Sequence, residues 1–358
     1  MLTRPFVIWL PLALAAIAGC RTADSVDAIV VPMHAIPYDL HDKVKVLIDL
    51  DRQQVARRDM GPAGKLQLRR TGKWEFFADL NGNGRADAGE PAVNATQGER
   101  TIKLPWHSGG LAFDYAMEVE SIADEGIRFS AQACLSGDFQ GMPFRVADTD
   151  LDGRFGTAGD LAVFGADGVP QPFSRIISLN GKLWRLEPRD AGASIAWTPE
   201  TASGCLVQAT CGTGTGMAPT QIRVVVKHTT LPLVAQLESG KTARLLPGNY
   251  QVVRSELHFN DGGRDVGLMG VNLGQITIPA GKIETMLALG GPLTLSFTAA
   301  KLPDGKIEIS KPELVGVAGE GYLPLLGGYS FSERAQAKPE IFAVGGGREV
   351  PLGSLEYG

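Results

Sequence analysis

The segment Asp79-Leu80-Asn81-Gly82-Asn83-Gly84-Arg85-Ala86-Asp87-Ala88-Gly89-Glu90 carries side-chain oxygens at positions 1, 3, 5, 9 and 12 and glycine at position 6. A hard cation such as Ca²⁺ takes roughly six to eight oxygen ligands, and alternate residues of a tight turn present theirs to a common centre. In such a loop Asp79, Asn81, Asn83 and Asp87 supply side-chain oxygens and Arg85 a backbone carbonyl. Glu90 closes the shell with both carboxylate oxygens, and Gly84 permits the bend. A second copy begins 69 residues later, with Asp148, Asp150 and Asp152 at positions 1, 3 and 5, Gly153 at 6 and Arg154 at 7. Its position 12 is Gly159, and the closing acid arrives one residue late, as Asp160.

Both segments resemble the EF-hand calcium loop. The resemblance ends at the loops, because an EF-hand has a helix on each side. Here Pro91 follows Glu90 directly, and Lys73-Trp74-Glu75-Phe76-Phe77 reads as a strand. The spacing is also too wide for the paired loops of a dockerin. Calcium loops spliced into β-hairpins fit best, as an internal strand–loop–strand repeat entered by Phe76-Phe77-Ala78 and Phe144-Arg145-Val146-Ala147. Asp, Asn and Gly also favour plain turns. Three like charges within one turn repel unless a cation neutralises them, and this argues for calcium as a cofactor. Such sites in extracellular modules bind with Kd of ~10⁻⁴–10⁻³ M, which suits a structural staple. A third cluster, Asn260-Asp261-Gly262-Gly263-Arg264-Asp265, lacks the alternation and reads as a turn.

The elements that must position these loops are strands. Val44, Val46, Ile48 and Leu50 alternate with Lys43, Lys45, Leu47 and Asp49, and Ile102, Leu104 and Trp106 repeat the period of two. Leu293 to Phe297 and Ile307 to Ile309, around Asp304-Gly305, predict a hairpin. Glycine, at 45 of 358 residues, exceeds the usual ~7%, and no long stretch keeps the three–four spacing of an amphipathic helix. The fold class predicted is mainly β: Ig-like or other β-sandwich modules with inserted EF-hand-like calcium loops and little helix beyond the signal segment. Leu245-Leu246-Pro247-Gly248-Asn249-Tyr250-Gln251-Val252 resembles the turn-and-strand of transthyretin-like and other Ig-like modules, which implies a sandwich in that half. A small, polar segment at 199–220 reads as a linker between a β domain at 39–198, carrying both acidic loops, and an Ig-like region at 221–358. Within it a disulfide between Cys205 and Cys211 would clamp a small loop, with Cys134 equally open as a partner for either.

The first residues give an address. Arg4 precedes the apolar stretch Phe6 to Ala18, which is too short to span a bilayer. Ile17-Ala18-Gly19-Cys20 resembles the lipobox of bacterial lipoproteins. That resemblance implies cleavage of 1–19, acylation of Cys20, a tether over 20–38, and attachment to the outer membrane through acyl chains. Arg21 stands where an aspartate would resemble an inner-membrane retention signal.

Lys+Arg 34 against Asp+Glu 39, a net charge of −5, offers no basic surface for nucleic acid. No Gly-x-Ser-x-Gly, His-Glu-x-x-His or P-loop motif occurs, and the five histidines include no i,i+4 pair. His34 and His41, near Asp39 and Asp42, suit a solvated strand better than a triad or zinc site. Trp74 and Trp106 fall on predicted strands as core residues, and Trp184 and Trp197 suit core packing better than a sugar-stacking platform. The sequence thus favours an exported, lipid-anchored, non-enzymatic calcium-binding scaffold or binding module for a protein or glycan. The alternative is a calcium-dependent, glycan-acting hydrolase on a β scaffold.

Overall fold

Along Thr101–Ser108, Ile102, Leu104 and Trp106 are buried while Lys103, Pro105 and His107 face solvent, the predicted period of two. Similar alternation builds the rest of the computed structural model, which describes residues 28–37, 44–94, 100–122, 126–211, 219–261, 264–272, 274–290, 293–301, 307–317, 319–325, 340–345 and 348–354. The described residues form a mainly β protein of several sheets, with no α-helix and two short 3-10 turns. Cys20, the signal segment and His41 lie outside the described residues.

Two large hydrophobic cores result among the described residues, beside two small clusters around Cys134 and Val225. The first runs from Val31 to Trp197 and is filled by Phe76, Trp106, Tyr115, Phe129, Phe144, Phe155 and Trp197 among others. The second runs from Ile176 to Tyr322 and draws on Val207, Val224, Leu237, Tyr250 and Leu257. They share a wall. The strands Ile176–Leu179 and Lys182–Arg189 form an antiparallel pair in the largest sheet. Successive side chains of a strand point to opposite faces. Ile177, Trp184 and Leu186 therefore enter the first core, while Ile176 and Leu183 enter the second.

Both acidic loops join neighbouring antiparallel strands, as the repeat predicts. The first connects Glu75–Ala78 to Ala92–Asn94 in a four-stranded sheet with Val55–Asp59 and Lys65–Arg70. The second connects Met142–Ala147 to Leu161–Phe164 in a five-stranded sheet with His34–Pro37, Ala133–Phe139 and Gln171–Pro172. A third sheet, Lys45–Asp49, Gly126–Ala131, Leu111–Ile122 and Thr101–Ser108, packs into the same core.

In the C-terminal half, Thr294–Lys301 and Ile307–Val315 pair antiparallel, as the predicted hairpin requires. Tyr250 is fully buried and its hydroxyl donates to the Leu246 carbonyl at 2.7 Å, pinning the Leu246-Pro247 turn onto its own strand. At the third acidic cluster Asp261 pairs with Arg264 across two antiparallel strands, Gly248–Asp261 and Arg264–Asn272.

Several expectations are corrected. The 20–38 tether contains two strands: Ile29–Pro32 pairs with Ser194–Pro199, and His34–Pro37 pairs with Ala133–Phe139. His34 is exposed on the second of these, consistent with a solvated strand. The 199–220 linker contains Cys205–Cys211, the middle strand of a sheet with Thr242–Leu245 and Glu284–Leu289. Its Cys205, Val207 and Ala209 are buried at alternate positions. Cys205 and Cys211 thus stand at opposite ends of one strand, about 20 Å apart at ~3.3 Å per residue. A disulfide needs Cα atoms within ~7 Å, and Cys205 is a free thiol, as is Cys134. Trp74 is not a core residue; it is exposed, with the Lys73 ammonium 5.2 Å from its ring centre. Trp184 and Trp197 are buried, with Phe139 stacked 4.0 Å from Trp197.

Candidate metal centre

The two loops share a hydrogen-bond scheme, position by position. The carboxylate at position 1 accepts the N–H of the glycine at position 6: Gly84 to Asp79 at 2.9 Å, Gly153 to Asp148 at 2.6 Å. The side chain at position 5 accepts the N–H of position 7: Arg85 to Asn83 at 2.7 Å, Arg154 to Asp152 at 2.8 Å. The closing acid accepts from positions 2 and 9. In the first loop Leu80 and Asp87 donate to Glu90 at 2.8 and 3.1 Å. In the second, Thr149 and Gly156 donate to Asp160 at 3.2 and 2.7 Å. Asp160, one residue later and one methylene shorter, therefore takes the place of Glu90. Both loops also turn through a left-handed backbone at positions 4 and 6, with φ of 73° and 79° at Gly82 and Gly84, 57° and 72° at Leu151 and Gly153.

Their surroundings differ. The second loop is embedded in the first core. Asp148 and Asp160 are buried, and Asp148, Asp150 and Asp152 bring carboxylate oxygens within 4.8 Å of one another. The Tyr115 hydroxyl donates to Asp148 Oδ2 at 2.7 Å, and the Trp106 indole N–H donates to the Gly153 carbonyl at 2.7 Å. The Arg58 guanidinium donates to the carbonyls of Asp150 and Leu151. No basic side chain forms an ion pair with these four acids among the described residues. Burial above all, with the neighbouring aspartates added, pushes Asp148 up to about 7 and Asp160 up to about 9. Burial likewise raises Asp152, and burial beside Asp148 raises Tyr115 well above the usual phenol range.

Asp150 Oδ1 and Thr157 Oγ1 are buried there without a hydrogen-bond partner. Buried oxygens left unpaired beside crowded carboxylates cost stability unless a cation accepts them. Asp148, Asp150 and Asp152 thus fit a divalent cation as hard oxygen donors, while Asp160, expected as the closing ligand, lies outside that group of three and accepts the N–H groups of Thr149, Gly156 and Thr157.

The first loop stands in solvent between Asp79, which is buried, and Glu90, which is half-buried. Its positive charge is already supplied: Arg69 Nε donates to Asp79 Oδ2 at 2.7 Å. Burial works to raise Asp79, but the Arg69 and Gly84 hydrogen bonds outweigh it and hold the carboxyl below its ordinary value. The amides of Asn81 and Asn83 donate to Asp87, so three expected ligands bond one another. Asp79 Oδ1 remains buried and unpaired. Arg85 and Arg154 have exposed side chains; only their carbonyls were expected to serve. Sequence spacing could not reveal Arg58, Arg69, Trp106 or Tyr115, which reach the loops from other strands.

No protein-family model matches this chain, and no curated protein or solved structure matches it.

Proposed function

We propose that the protein is a calcium-stapled, non-enzymatic β scaffold of the bacterial cell envelope, exported and held on the outer membrane through an acylated Cys20. The address rests on Ile17-Ala18-Gly19-Cys20. The chemistry rests on one observation: Asp148, buried, and Asp150 and Asp152, half-buried, bring carboxylate oxygens within 4.8 Å of one another with no ion pair to a basic side chain among the described residues. That crowding is sustainable when Ca²⁺ replaces mutual repulsion with attraction. The second loop is the principal site, because Arg69 already serves Asp79 in the first. A sheet protein of this construction acts by presenting a surface to a protein or glycan ligand.

Thermal unfolding in CaCl₂ and in EDTA tests the reading. With Kd of 0.1–1 mM, 10 mM Ca²⁺ stabilises by about 1.4–2.7 kcal/mol through linkage. The shift is expected to vanish in Asp150→Asn and to survive in Asp79→Asn. No shift in the unsubstituted protein would reduce both loops to ordinary turns.

A further inference from the structure

Elements far apart in sequence end on the second loop. Arg58 reaches its carbonyls from Val55–Asp59, while Trp106 and Tyr115 reach Gly153 and Asp148 from Thr101–Ser108 and Leu111–Ile122. The Phe155 N–H donates to the Ala191 carbonyl at 2.9 Å, and the Phe173 N–H donates to the Asp160 carbonyl at 2.8 Å. The fit is close: a Cβ on Gly153 would lie 1.8 Å from the Met60 carbonyl oxygen, and one on Gly192 would lie 2.4 Å from that of Phe155. Packed interfaces of this kind respond as units rather than by gradual deformation. None of the residues in these loop contacts belongs to the second core, whose buried residues begin at Ile176.

We propose that a divalent cation in the second loop is the latch of the N-terminal core: loaded, it holds the sheets around residues 55–164 together, and empty, it lets them separate while the C-terminal core stays folded. This rests on the calcium reading above, supported at the same loop by the unpaired buried oxygens of Asp150 and Thr157. A chain built this way opens more readily where calcium is scarce and is held closed where it is abundant, which suits a protein that crosses a membrane before it reaches calcium.

The tryptophans make the latch readable. Trp106, Trp184 and Trp197 all lie in the first core, and the second contains none among its buried residues. The experiment follows tryptophan emission and hydrogen–deuterium exchange of the full chain in CaCl₂ and in EDTA, with Ca²⁺ binding measured separately by titration. Expected in EDTA are a red shift and at least about tenfold faster exchange in peptides covering 55–70, 101–117 and 142–164, with little change in 222–237. Arg58→Gln leaves the aspartates in place; it should still bind Ca²⁺ yet exchange fast over 55–70 in saturating calcium. Calcium binding with uniform exchange changes across both halves, or changes confined to 148–160, would overturn the latch and leave the calcium reading standing. Absence of calcium binding would overturn both.

Discussion

Leu151 occupies position 4 of the second loop at φ 57°, where the first loop has Gly82 at 73°. A left-handed backbone costs a non-glycine residue roughly 1–2 kcal/mol, and Leu151 sustains it because its side chain is fully buried in the first core. Leu151→Gly relieves that strain but forfeits the burial, so a net loss of about 1–4 kcal/mol is expected in denaturant unfolding. The glycines at position 6 separate more sharply. At Gly84 a Cβ would meet only the Arg69 guanidinium at 3.5 Å, so Gly84→Ala should cost about 1 kcal/mol, the backbone strain alone. Gly153→Ala drives a methyl into the Met60 carbonyl and should lower the midpoint several times further. Protons compete with calcium here. With Asp148 pushed up to about 7 and Asp160 to about 9, the folded metal-free protein holds protons that the unfolded chain releases near pH 4. Stability in EDTA should therefore fall as pH rises from 5 to 9, and saturating Ca²⁺ should flatten that slope. A midpoint in EDTA that rises with pH would show that these carboxylates are ionised and satisfied without a metal. The acidic loops were legible because Asp, Asn and Gly must stand at fixed intervals to make them. Tyr115 and Arg58 were not, since their role depends on which strands lie beside the loop.

At the scale of elements, legibility follows residue size. Ile102, Leu104 and Trp106 announce a strand because large apolar side chains alternate with polar ones. Cys205–Cys211 conceals one: Cys205, Val207 and Ala209 alternate just as strictly, but Ala209 and the thiol carry little apolar weight, and glycines and threonines surround them. Pairing with Glu284–Leu289 and Thr242–Leu245, distant in sequence, makes the strand. The same element removes the disulfide. The unfolding midpoint is expected to be the same with and without a reductant, and thiol titration of the unfolded, unreduced protein should find Cys134, Cys205 and Cys211 all reactive. A reductant-dependent midpoint would contradict the placement of Cys205 and Cys211 on one strand.

For the whole molecule, the mainly β class was legible in the glycine content and the period of two, while the shared wall was not, because it depends on what stands behind each face of one hairpin. That wall makes a sharp prediction. Leu183 and Leu186 lie three residues apart and are both buried, but they face different cores. Each alanine substitution should cost about 2–5 kcal/mol. Leu186→Ala should lower the transition seen by tryptophan emission, and Leu183→Ala should act first on exchange in 222–237. Identical effects of the two on both probes would mean that the cores unfold as one. The strand Ile29–Pro32 has a mechanical consequence. It lies at the edge of the largest sheet, antiparallel to Ser194–Pro199, with Ile29 opposite Trp197 and Pro32 opposite Ser194. A pull that lifts the chain off the sheet edge from its N-terminal side meets the Ile29 end first and opens these pairs one after another, like a zipper. Peeling withdraws the buried Val31 from the first core while every buried residue of the second keeps its place, so the strand couples a pull at this edge to one core and not to the other.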